Sequence, residues 1–452
     1  MIGACAMRPS RLRLALAFCA WTVSILGGSA PAGQGAAESA RPDVVLIVLD
    51  DLGYGDFGCY GCTDIRTPHI DRLARQGVRL TDFYANGPVC TPTRAALMSG
   101  RYQQRVGLEW AISPGQKEPG LPVEDSTLAR ALKRDGYATA LFGKWHLGYR
   151  REFGPLAHGF DEFFGLLSAD IDHYSHREIS GEPDLYEGDR PVERKGYMTD
   201  LITERAVTFV EKHAGRPFFL EVAYNAVHWP FQPPDRPDDV RVVKTWYEGT
   251  RRDYARMLER VDDGVGAILD ALEKRGLTDR TLVIVTNDNG GEQLSRGTPL
   301  RGNKGILLEG GIRVPCIVRW PGRLPAGKVS ANPAITMDLT ATILAAAGAK
   351  PPEGRKLDGI DLTPVLNGSK PALGRTFFWR IGGPRGEQLA ARKGKWKYIR
   401  HEKGELLFDL DADIGERRDL SKRHPETVAE LRTEVARWEA EMAESRPKFL
   451  VR

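Results

Sequence analysis

The chain has 452 residues, of which 41% are hydrophobic and 27% are charged. This is the composition of an ordinary globular protein, and it excludes a disordered, collagen-like or helical-repeat chain. The 64 Lys and Arg nearly balance the 60 Asp and Glu, so the charge gives no indication of bulk nucleic-acid binding.

The first 37 residues have the order of segments found in a secretory signal peptide. A basic stretch precedes an apolar run at 14–26, and small or polar residues follow it. We predict cleavage after Ala30 or after Ala37, and Pro31 makes the second site the better one. The apolar run is short for a bilayer span, which disfavours an uncleaved anchor, so we expect no stable membrane span. The leader and a single Asn-x-Ser site, at Asn367, favour a bacterial periplasm or medium over a lysosome for the mature protein.

Apolar stretches separated by helical patterns predict a largely parallel α/β sheet. The segment 253–274 repeats apolar residues at helical spacing and therefore predicts an amphipathic helix. The predicted buried strands are 44–49, 138–142, 218–223 and 282–286.

The sequence changes character from about residue 351, where a Pro- and Gly-rich turn begins. Short strand-like segments at 376–380, 388–391 and 396–400, followed by a charged helical pattern at 425–444, predict a small antiparallel sheet with one helix. The predicted units are a leader (1–37), a catalytic domain (38–350) and a C-terminal subdomain (351–452).

Basic and aromatic residues alternate from Lys395 to Tyr398, a pattern that a nucleic-acid patch would also show. A half-buried strand has the same period of two. We therefore expect the Lys side chains to point outward and the aromatic rings inward, with no nucleic-acid partner.

The cysteines beyond the leader are Cys59, Cys62, Cys90 and Cys316. Four are too few for a disulfide scaffold. Cys59 and Cys62 form a Cys-x-x-Cys pair, but no second pair lies at zinc-site spacing. A local disulfide or two packed thiols are the alternatives for this pair.

Polar residues follow each of the four predicted strands, where ligands bind in open α/β sheets. Each residue alone has an ordinary explanation as a cap, a turn or a packed side chain. Together they would bring two or three carboxylates into one cleft, whose repulsion needs a counter-charge. The residues are Asp50 and Asp51, then Lys144 and His146, then Asn225 and His228, and last Asp288 and Asn289.

A bound cation would supply that counter-charge. Carboxylate and amide oxygens select a hard ion, Ca²⁺ or Mg²⁺, over zinc. We predict Ca²⁺, with Mg²⁺ as the alternative, because several protein oxygens are available and Mg²⁺ usually keeps more of its waters.

A second group of residues surrounds Cys90. Pro92 suits the first turn of a helix, so Cys90 is predicted at a helix N-terminus, where backbone amides favour negative charge. Arg94 lies one turn further and can reach back to Cys90. An isolated cysteine here would be interpreted as a buried thiol, but Pro92 and Arg94 at this spacing argue against that.

The pattern Cys-x-Pro-x-Arg, with Gly100 and Arg101 after it, resembles the type I sulfatases of the alkaline phosphatase superfamily. The likeness is arylsulfatase-like and extends over about residues 43–445. The supporting motifs are Asp-Asp-Leu-Gly-Tyr-Gly at 50–55, Thr-Pro-His-Ile-Asp at 67–71, Gly-Lys-Trp-His-Leu-Gly at 143–148, Arg-Gly-Asn-Lys-Gly at 301–305 and Glu-Gly-Gly-Ile-Arg-Val-Pro at 309–315.

This resemblance implies an α/β fold with a large, mixed but mostly parallel sheet flanked by helices, and a smaller C-terminal α+β subdomain. It implies a sulfuric ester hydrolase that releases inorganic sulfate. In that family a maturase oxidises the motif cysteine to Cα-formylglycine before folding, and the aldehyde hydrate is the nucleophile. Cys90 would be that residue. The implied metal ligands are Asp50, Asp51, Cys90, Asp288 and Asn289.

The resemblance also implies roles for the remaining catalytic residues. Arg94 would orient the hydrate, while Lys144 and Lys304 would hold sulfate oxygens. His146 would help the sulfated intermediate to collapse, and His228, with Lys304, would assist the leaving group.

Two other functions are alternatives to this one. A phosphomonoesterase or phosphodiesterase of the same superfamily uses an unmodified Ser or Thr and commonly two zinc ions, whereas this chain has Cys90 and an oxygen-rich site. A catalytically silent carbohydrate-binding protein would require loss of the site, yet every candidate position is filled.

The substrate is expected to be a sulfated carbohydrate or an aryl sulfate. Rings in the insert 168–194 and directly after His228 can both stack on a sugar and hydrogen-bond to it, although the insert has the alternative of a solvated loop. The predicted substrate residues are His173, Tyr174, His176 and Trp229.

Overall fold

The computed structural model describes residues 41–445, apart from 114, 115, 117, 124–126, 352–354, 373 and 383–385. The predicted leader and its cleavage sites lie outside this part of the chain. Within it, we find no helix whose length and apolar character would let it span a bilayer.

The strands differ widely in length, from two residues to seven. In chain order they are β1 (Asp43–Leu49), β2 (Val78–Leu80), β3 (Phe83–Tyr84), β4 (Ala138–Lys144), β5 (Glu162–Leu166), β6 (Tyr186–Glu187), β7 (Arg190–Pro191), β8 (Phe218–Ala223), β9 (Thr281–Asn287), β10 (Cys316–Arg319), β11 (Lys328–Ser330), β12 (Ala334–Ile335), β13 (Thr376–Ile381), β14 (Gln388–Lys393), β15 (Trp396–His401) and β16 (Gly404–Asp409).

The helices lie between these strands and at the C-terminal end. In chain order they are α1 (Pro68–Gln76), α2 (Cys90–Ser99), α3 (Leu128–Arg134), α4 (Met198–Lys212), α5 (Arg251–Lys274), α6 (Glu309–Ile312), α7 (Thr336–Ala347), α8 (Thr363–Leu366) and α9 (Pro425–Glu444).

A ten-stranded sheet in the order β11-β2-β10-β9-β1-β8-β4-β5-β6-β7 forms the centre of the fold. Neighbours from β9 to β5 run parallel, whereas β10, β6 and β7 pair antiparallel with the strands beside them. All residues of β1, β8 and β9 are buried, as expected for parallel strands covered on both faces. The four predicted strands and the predicted fold class are thereby confirmed.

Helix α5 begins two residues before the predicted start. The Thr250 hydroxyl accepts a hydrogen bond from the Asp253 backbone N–H (3.2 Å), and the Asp253 carboxylate accepts one from the Thr250 backbone N–H (3.0 Å). This capping box satisfies free amides of the first turn and fixes the helix start at Arg251.

The C-terminal sheet has four antiparallel strands in sequential order, from β13 to β16, and α9 packs on one of its faces. Helix α9 has the predicted bounds. Strand β16 was not predicted, because three consecutive apolar residues at 406–408 do not show the period of two. The other face of the sheet packs against residues such as Tyr84 and Ile312, which lie before β13 in the chain.

The predicted outward orientation of the Lys side chains around β15 is wrong for Lys397. Its side chain is fully buried and pairs with Glu309 and Glu416, whereas Lys395 is partly exposed. Trp396 and Tyr398 pack beside α9 on the opposite face. Both faces of this strand are covered by other parts of the protein. Alternate side chains therefore point into two different buried regions, not into a buried region and into solvent.

Cys59 and Cys62 are free thiols, as are Cys90 and Cys316, so the packed-thiol alternative holds among the described residues. The Cys62 thiol donates to Asp64 (3.2 Å), and the Cys59 backbone N–H donates to Asp71 (2.7 Å). The pair thus belongs to a hydrogen-bonded turn before α1.

Candidate active site

The polar residues predicted to meet at one sheet edge do so because their strands are neighbours. β9, β1, β8 and β4 lie side by side and parallel, so their carboxyl ends open on the same edge. Helix α2 and the loop that carries Lys304 complete the site. Its residues are Asp50, Asp51, Cys90, Arg94, Lys144, His228, Asp288, Asn289 and Lys304.

Cys90 is the first residue of α2, as predicted, and only 2% of its surface is exposed. Its sulfur lies 3.4 Å from Asp50 Oδ1 and 3.4 Å from Lys144 Nζ. Burial, and then the Asp50 carboxylate, raise the pKa of the Cys90 thiol well above its usual range. The cysteine side chain is therefore a protonated thiol at neutral pH and a weak nucleophile.

Arg94 lies one helical turn after Cys90 and is held by two groups. Its Nε donates to Asp288 Oδ2 (3.0 Å), and one terminal nitrogen donates to the Lys144 carbonyl (3.1 Å). These contacts join the first turn of α2 to the carboxyl ends of β4 and β9.

Lys304 and His228 meet at Asp51. Lys304 Nζ donates to Asp51 Oδ2 (2.6 Å) and lies 3.1 Å from His228 Nε2. His228 Nδ1 lies 2.9 Å from the Trp229 carbonyl, which can only accept, so Nδ1 carries the hydrogen and Nε2 presents a lone pair to Lys304. Burial, and then Lys304, lower the pKa of His228 to about 4.

His146 follows β4 in the left-handed backbone region, with φ of 54°. Its Nε2 lies 2.9 Å from the Ile112 carbonyl, so Nε2 carries the hydrogen and the buried Nδ1, which has no hydrogen-bond partner among the described residues, holds a free lone pair. Asp51, with φ of 59°, has the same uncommon conformation. Such backbone strain concentrates at functional sites.

A cluster of potential metal ligands lies at the centre of this edge. One ligand atom from each of Asp50, Asp51, Cys90 and His228 falls within 4.8 Å of the others. Asn289 donates to Asp51 Oδ1 (2.7 Å), and its own buried Oδ1 lacks a hydrogen-bond partner among the described residues. An unpaired amide oxygen beside carboxylates fits a hard divalent cation.

The expected repulsion among carboxylates is largely balanced by protein cations. Asp50 pairs with Lys144 (2.5 Å), Asp51 with Lys304 (2.6 Å) and Asp288 with Arg94 (2.8 Å). Repulsion alone therefore does not require a metal ion here, contrary to the sequence argument. With three charges of each sign, a divalent cation would leave the site positive and suited to an anionic group.

The predicted substrate residues divide into two groups. His173 and His176 are 0% and 3% exposed, and the His173 ring stacks on Tyr197 with centroids 5.1 Å apart, so neither presents an open face. Trp229 is partly exposed, and its ring centroid lies 4.9 Å from Lys304 Nζ. Trp229 thus lies beside Lys304, whereas Tyr174, which is partly exposed, donates to the Pro233 carbonyl (2.8 Å) and packs against Tyr197.

Tyr247 is a candidate residue that the sequence reasoning missed. It is 53% exposed, and its ring meets Trp229 edge-on with centroids 5.1 Å apart. Its carbonyl accepts from Gln293 (2.8 Å), and the adjacent Trp246 is buried and donates to Asp170 (2.7 Å). In the sequence, only the adjacent aromatic residues at 246–247 could have indicated a binding role, because this loop has no hydrophobic periodicity.

Comparison with known proteins places this site in a family. The sequence profile of the family Sulfatase matches residues 42–349, and that of "N-sulphoglucosamine sulphohydrolase, C-terminal" matches residues 302–441. The N-acetylgalactosamine-6-sulfatase of Canis lupus familiaris is 35% identical over 447 residues, which cover 86% of this chain and 84% of that protein.

Solved structures agree. The crystal structure of Ps i-CgsB superposes with a TM-score of 0.82 at 32% identity, covering 90% of this chain and 94% of that one. Its complex with k-i-k-neocarrahexaose gives the same values. The fold and the family matches define a hydrolase of sulfuric esters. The chain belongs to the sulfatase family, among the type I sulfatases of the alkaline phosphatase superfamily.

Proposed function

We propose that this sulfatase removes sulfate from a sulfated carbohydrate, with residue 90 as a formylglycine. The observation that carries the proposal is the position of Cys90. It lies at the start of α2, within 3.4 Å of both an acid and a cation, yet its thiol is held in the protonated form. A hydrated aldehyde at this position supplies one hydroxyl that attacks sulfur and a second whose deprotonation expels sulfate and restores the carbonyl.

The cations of the site would receive the sulfuryl group. Lys144 pairs with Asp50 and Lys304 with Asp51, and fixed positive groups of this kind stabilise the negative charge on the transferring oxygens. Arg94, which Asp288 and the Lys144 carbonyl hold in place, would orient the nucleophile. Because all three cations are bound to carboxylates, they need little reorganisation when the ester binds.

Lys304, supported by His228, and His146 would move protons at opposite ends of the reaction. As the sulfur–oxygen bond to the alcohol breaks, Lys304, supported by His228 Nε2, would donate to the departing oxygen. The free lone pair on His146 Nδ1 would accept the proton when sulfate leaves. The proton lost by the attacking hydroxyl would restore the charge of Lys304, and His146 would release its proton to solvent. Water then restores the hydrate, so the ester and water give the alcohol, sulfate and one proton.

A divalent cation, Ca²⁺ in preference to Mg²⁺, would bind among Asp50, Asp51, Asp288, Asn289 and residue 90. The orphaned Asn289 oxygen supports this, since an oxygen-rich donor set suits Ca²⁺. Bound there, the cation would lower the cost of placing negative charge on the nucleophile. The geometric cluster of Asp50, Asp51 and Cys90 also includes His228, which is not in the proposed ligand set.

The substrate class follows from the rings beside Lys304. Trp229 and Tyr247 form an aromatic corner next to the groups that would meet the departing oxygen, and such rings stack on the apolar faces of sugars. Ps i-CgsB, whose structure was solved with k-i-k-neocarrahexaose, supports the same substrate class.

We also propose that a maturase modifies Cys90 and that the leader directs export to the periplasm or medium.

The function is tested by peptide mass spectrometry together with a sulfate-release assay. Protein made with a maturase should carry formylglycine at position 90 and release sulfate from sulfated sugars. Protein made without the maturase should keep the thiol and be inactive. Activity in fully unmodified protein would contradict the proposal.

Replacing Tyr247 with Ala should raise KM for a sulfated disaccharide about fivefold, because one stacking face is lost. Tyr247→Phe keeps the ring and should behave like the parent protein. Inhibition by inorganic sulfate should not change, since the anion has no sugar to stack. Val242→Ala, at a 57% exposed position of the same loop, is the control. An equal weakening of sulfate inhibition would show that Tyr247 supports the anion site instead.

A further inference from the structure

A group of buried charges lies where the C-terminal sheet packs against α6 and β3. Lys397 Nζ, on β15, donates to Glu309 Oε1 (2.8 Å) and to Glu416 Oε1 (3.4 Å), and all three side chains are fully buried. Tyr84 donates to the second oxygen of Glu309 (2.5 Å), and Arg313 donates to the same oxygen (3.2 Å). Glu309 therefore accepts from three donors that come from separate parts of the chain.

Stability alone does not account for such a group. Removing ions from water is expensive, and well-packed apolar residues often serve a fold equally well in the same place. Buried ionic groups do, however, fix one geometry, because every alternative leaves a charge unpaired. The effect of this group on the protein therefore depends on the segment that Glu309 holds in place.

Glu309 begins α6, which packs directly on the loop that carries Lys304. The Glu309 backbone N–H donates to Glu416 Oε2 (2.6 Å). The C-terminal segment therefore binds both the backbone of Glu309, through Glu416, and its side chain, through Lys397. The Gly310 backbone N–H then donates to the Arg301 carbonyl (2.7 Å). A Cβ at Gly310 would collide with the carbonyl of Gly302, so the helix and the loop approach without spare room.

The same contacts continue to the active site. The Gly290 backbone N–H donates to the Gly311 carbonyl (2.9 Å), and the Lys304 backbone N–H donates to the Gly291 carbonyl (3.0 Å). Gly290 directly follows Asn289. The path from Lys397 to the Lys304 backbone thus consists of one buried ion pair and short backbone hydrogen bonds.

We propose that Lys397 is a positioning residue, which holds α6 through Glu309 and thereby fixes the Lys304 ammonium beside the departing oxygen. The inference rests on the proposed role of Lys304. It gives the C-terminal sheet a part in the reaction, although no residue of that sheet reaches the predicted ligands or the nucleophile among the contacts described above.

The test measures kcat/KM for aryl sulfates whose phenols differ in acidity. If Lys397→Met displaces Lys304, the departing oxygen is less stabilised, so the loss should grow as the phenol becomes less acidic. We expect about a tenfold loss for the least acidic phenol and little loss for the most acidic one. Lys395→Met is the matched control, since Lys395 precedes the same strand but pairs at the surface with Asp409.

An equal loss for all phenols would mean that fewer molecules are folded, and it would overturn the proposal. Lys397→Arg keeps the charge and should recover most of the parent dependence on acidity. If Lys397→Met does not fold, as judged by circular dichroism, Glu416→Gln replaces it. Glu416 accepts from Lys397 and from the Glu309 backbone N–H through its two oxygens, and the variant removes one of these two acceptors. It should therefore shift the dependence in the same direction by a smaller amount; an unchanged dependence would also overturn the proposal.

Lys304→Met separates this inference from the proposed function. If Lys304→Met does not make kcat/KM depend more steeply on phenol acidity, the proposed role of Lys304 is wrong, and the inference about Lys397 is wrong with it. If Lys304→Met steepens the dependence and Lys397→Met does not, only the positioning role of Lys397 is wrong.

Discussion

Replacing Cys90 with Ser is expected to lower steady-state turnover on the order of a thousandfold or more. The serine oxygen would occupy the place of the sulfur between Asp50 and Lys144 and could accept the sulfuryl group. The resulting ester would have no second hydroxyl whose deprotonation expels sulfate. We therefore expect a sulfated serine to accumulate, which intact-protein mass spectrometry would detect after incubation with an aryl sulfate.

Two variants control this experiment. Cys90→Ala should be equally inactive but should show no added mass, because no nucleophile remains. Cys316→Ser changes another fully buried cysteine, which lies on β10, and should keep the parent turnover. Normal turnover by Cys90→Ser, with peptide mass confirming that the serine is unmodified, would refute the formylglycine assignment.

Replacing Asp51 with Asn should remove the bound divalent cation and activity together. Asp51 is one of the clustered ligands and accepts from both Asn289 (2.7 Å) and Lys304 (2.6 Å). Losing its negative charge therefore weakens the binding of the divalent cation and also removes the carboxylate that pairs with the Lys304 ammonium. We expect metal affinity to fall by at least about tenfold, because even the loss of a partner that only orients a ligand costs that much. Elemental analysis of the dialysed variant and parent measures this directly.

Removal of the metal from the parent protein provides the second arm. A chelator should inactivate it, and Ca²⁺ should restore activity better than Mg²⁺ does. Asp262→Asn is the control variant, since Asp262 is also buried but accepts from the backbone amides of His69 (3.1 Å) and Ile70 (2.8 Å) in α1. Full activity in protein that elemental analysis shows to be free of divalent metal would disprove the site.

The central strands could be predicted because parallel strands buried on both faces are nearly continuous apolar runs. Strand β1 is such a run, and the acids after it mark the edge where the site forms. The two-residue strands β6 and β7 at the sheet edge have no such signal. Lys304 has none either, since it lies in a loop, and only the family resemblance indicated it.

Burial was the property that the sequence predicted least well. The period of two around Lys397 indicates which side chains share a face, but it does not tell whether that face meets water or another part of the protein. His173 and His176 show the same difficulty, because a polar ring near a site can line it or lie beneath it. In each case the outcome depends on segments far away in the chain, such as Glu309 for Lys397.

The central position of β1 also sets the order in which the protein can assemble. Val44 pairs with Phe219 on one side and with Leu282 on the other, so this strand is synthesised long before either partner exists. Pairings between such distant segments form slowly. Cys90, which the finished fold encloses, therefore stays accessible while most of the chain is still being made. If a maturase modifies Cys90, as proposed above, the sheet order would give that enzyme a time window that ends when β9 pairs with β1.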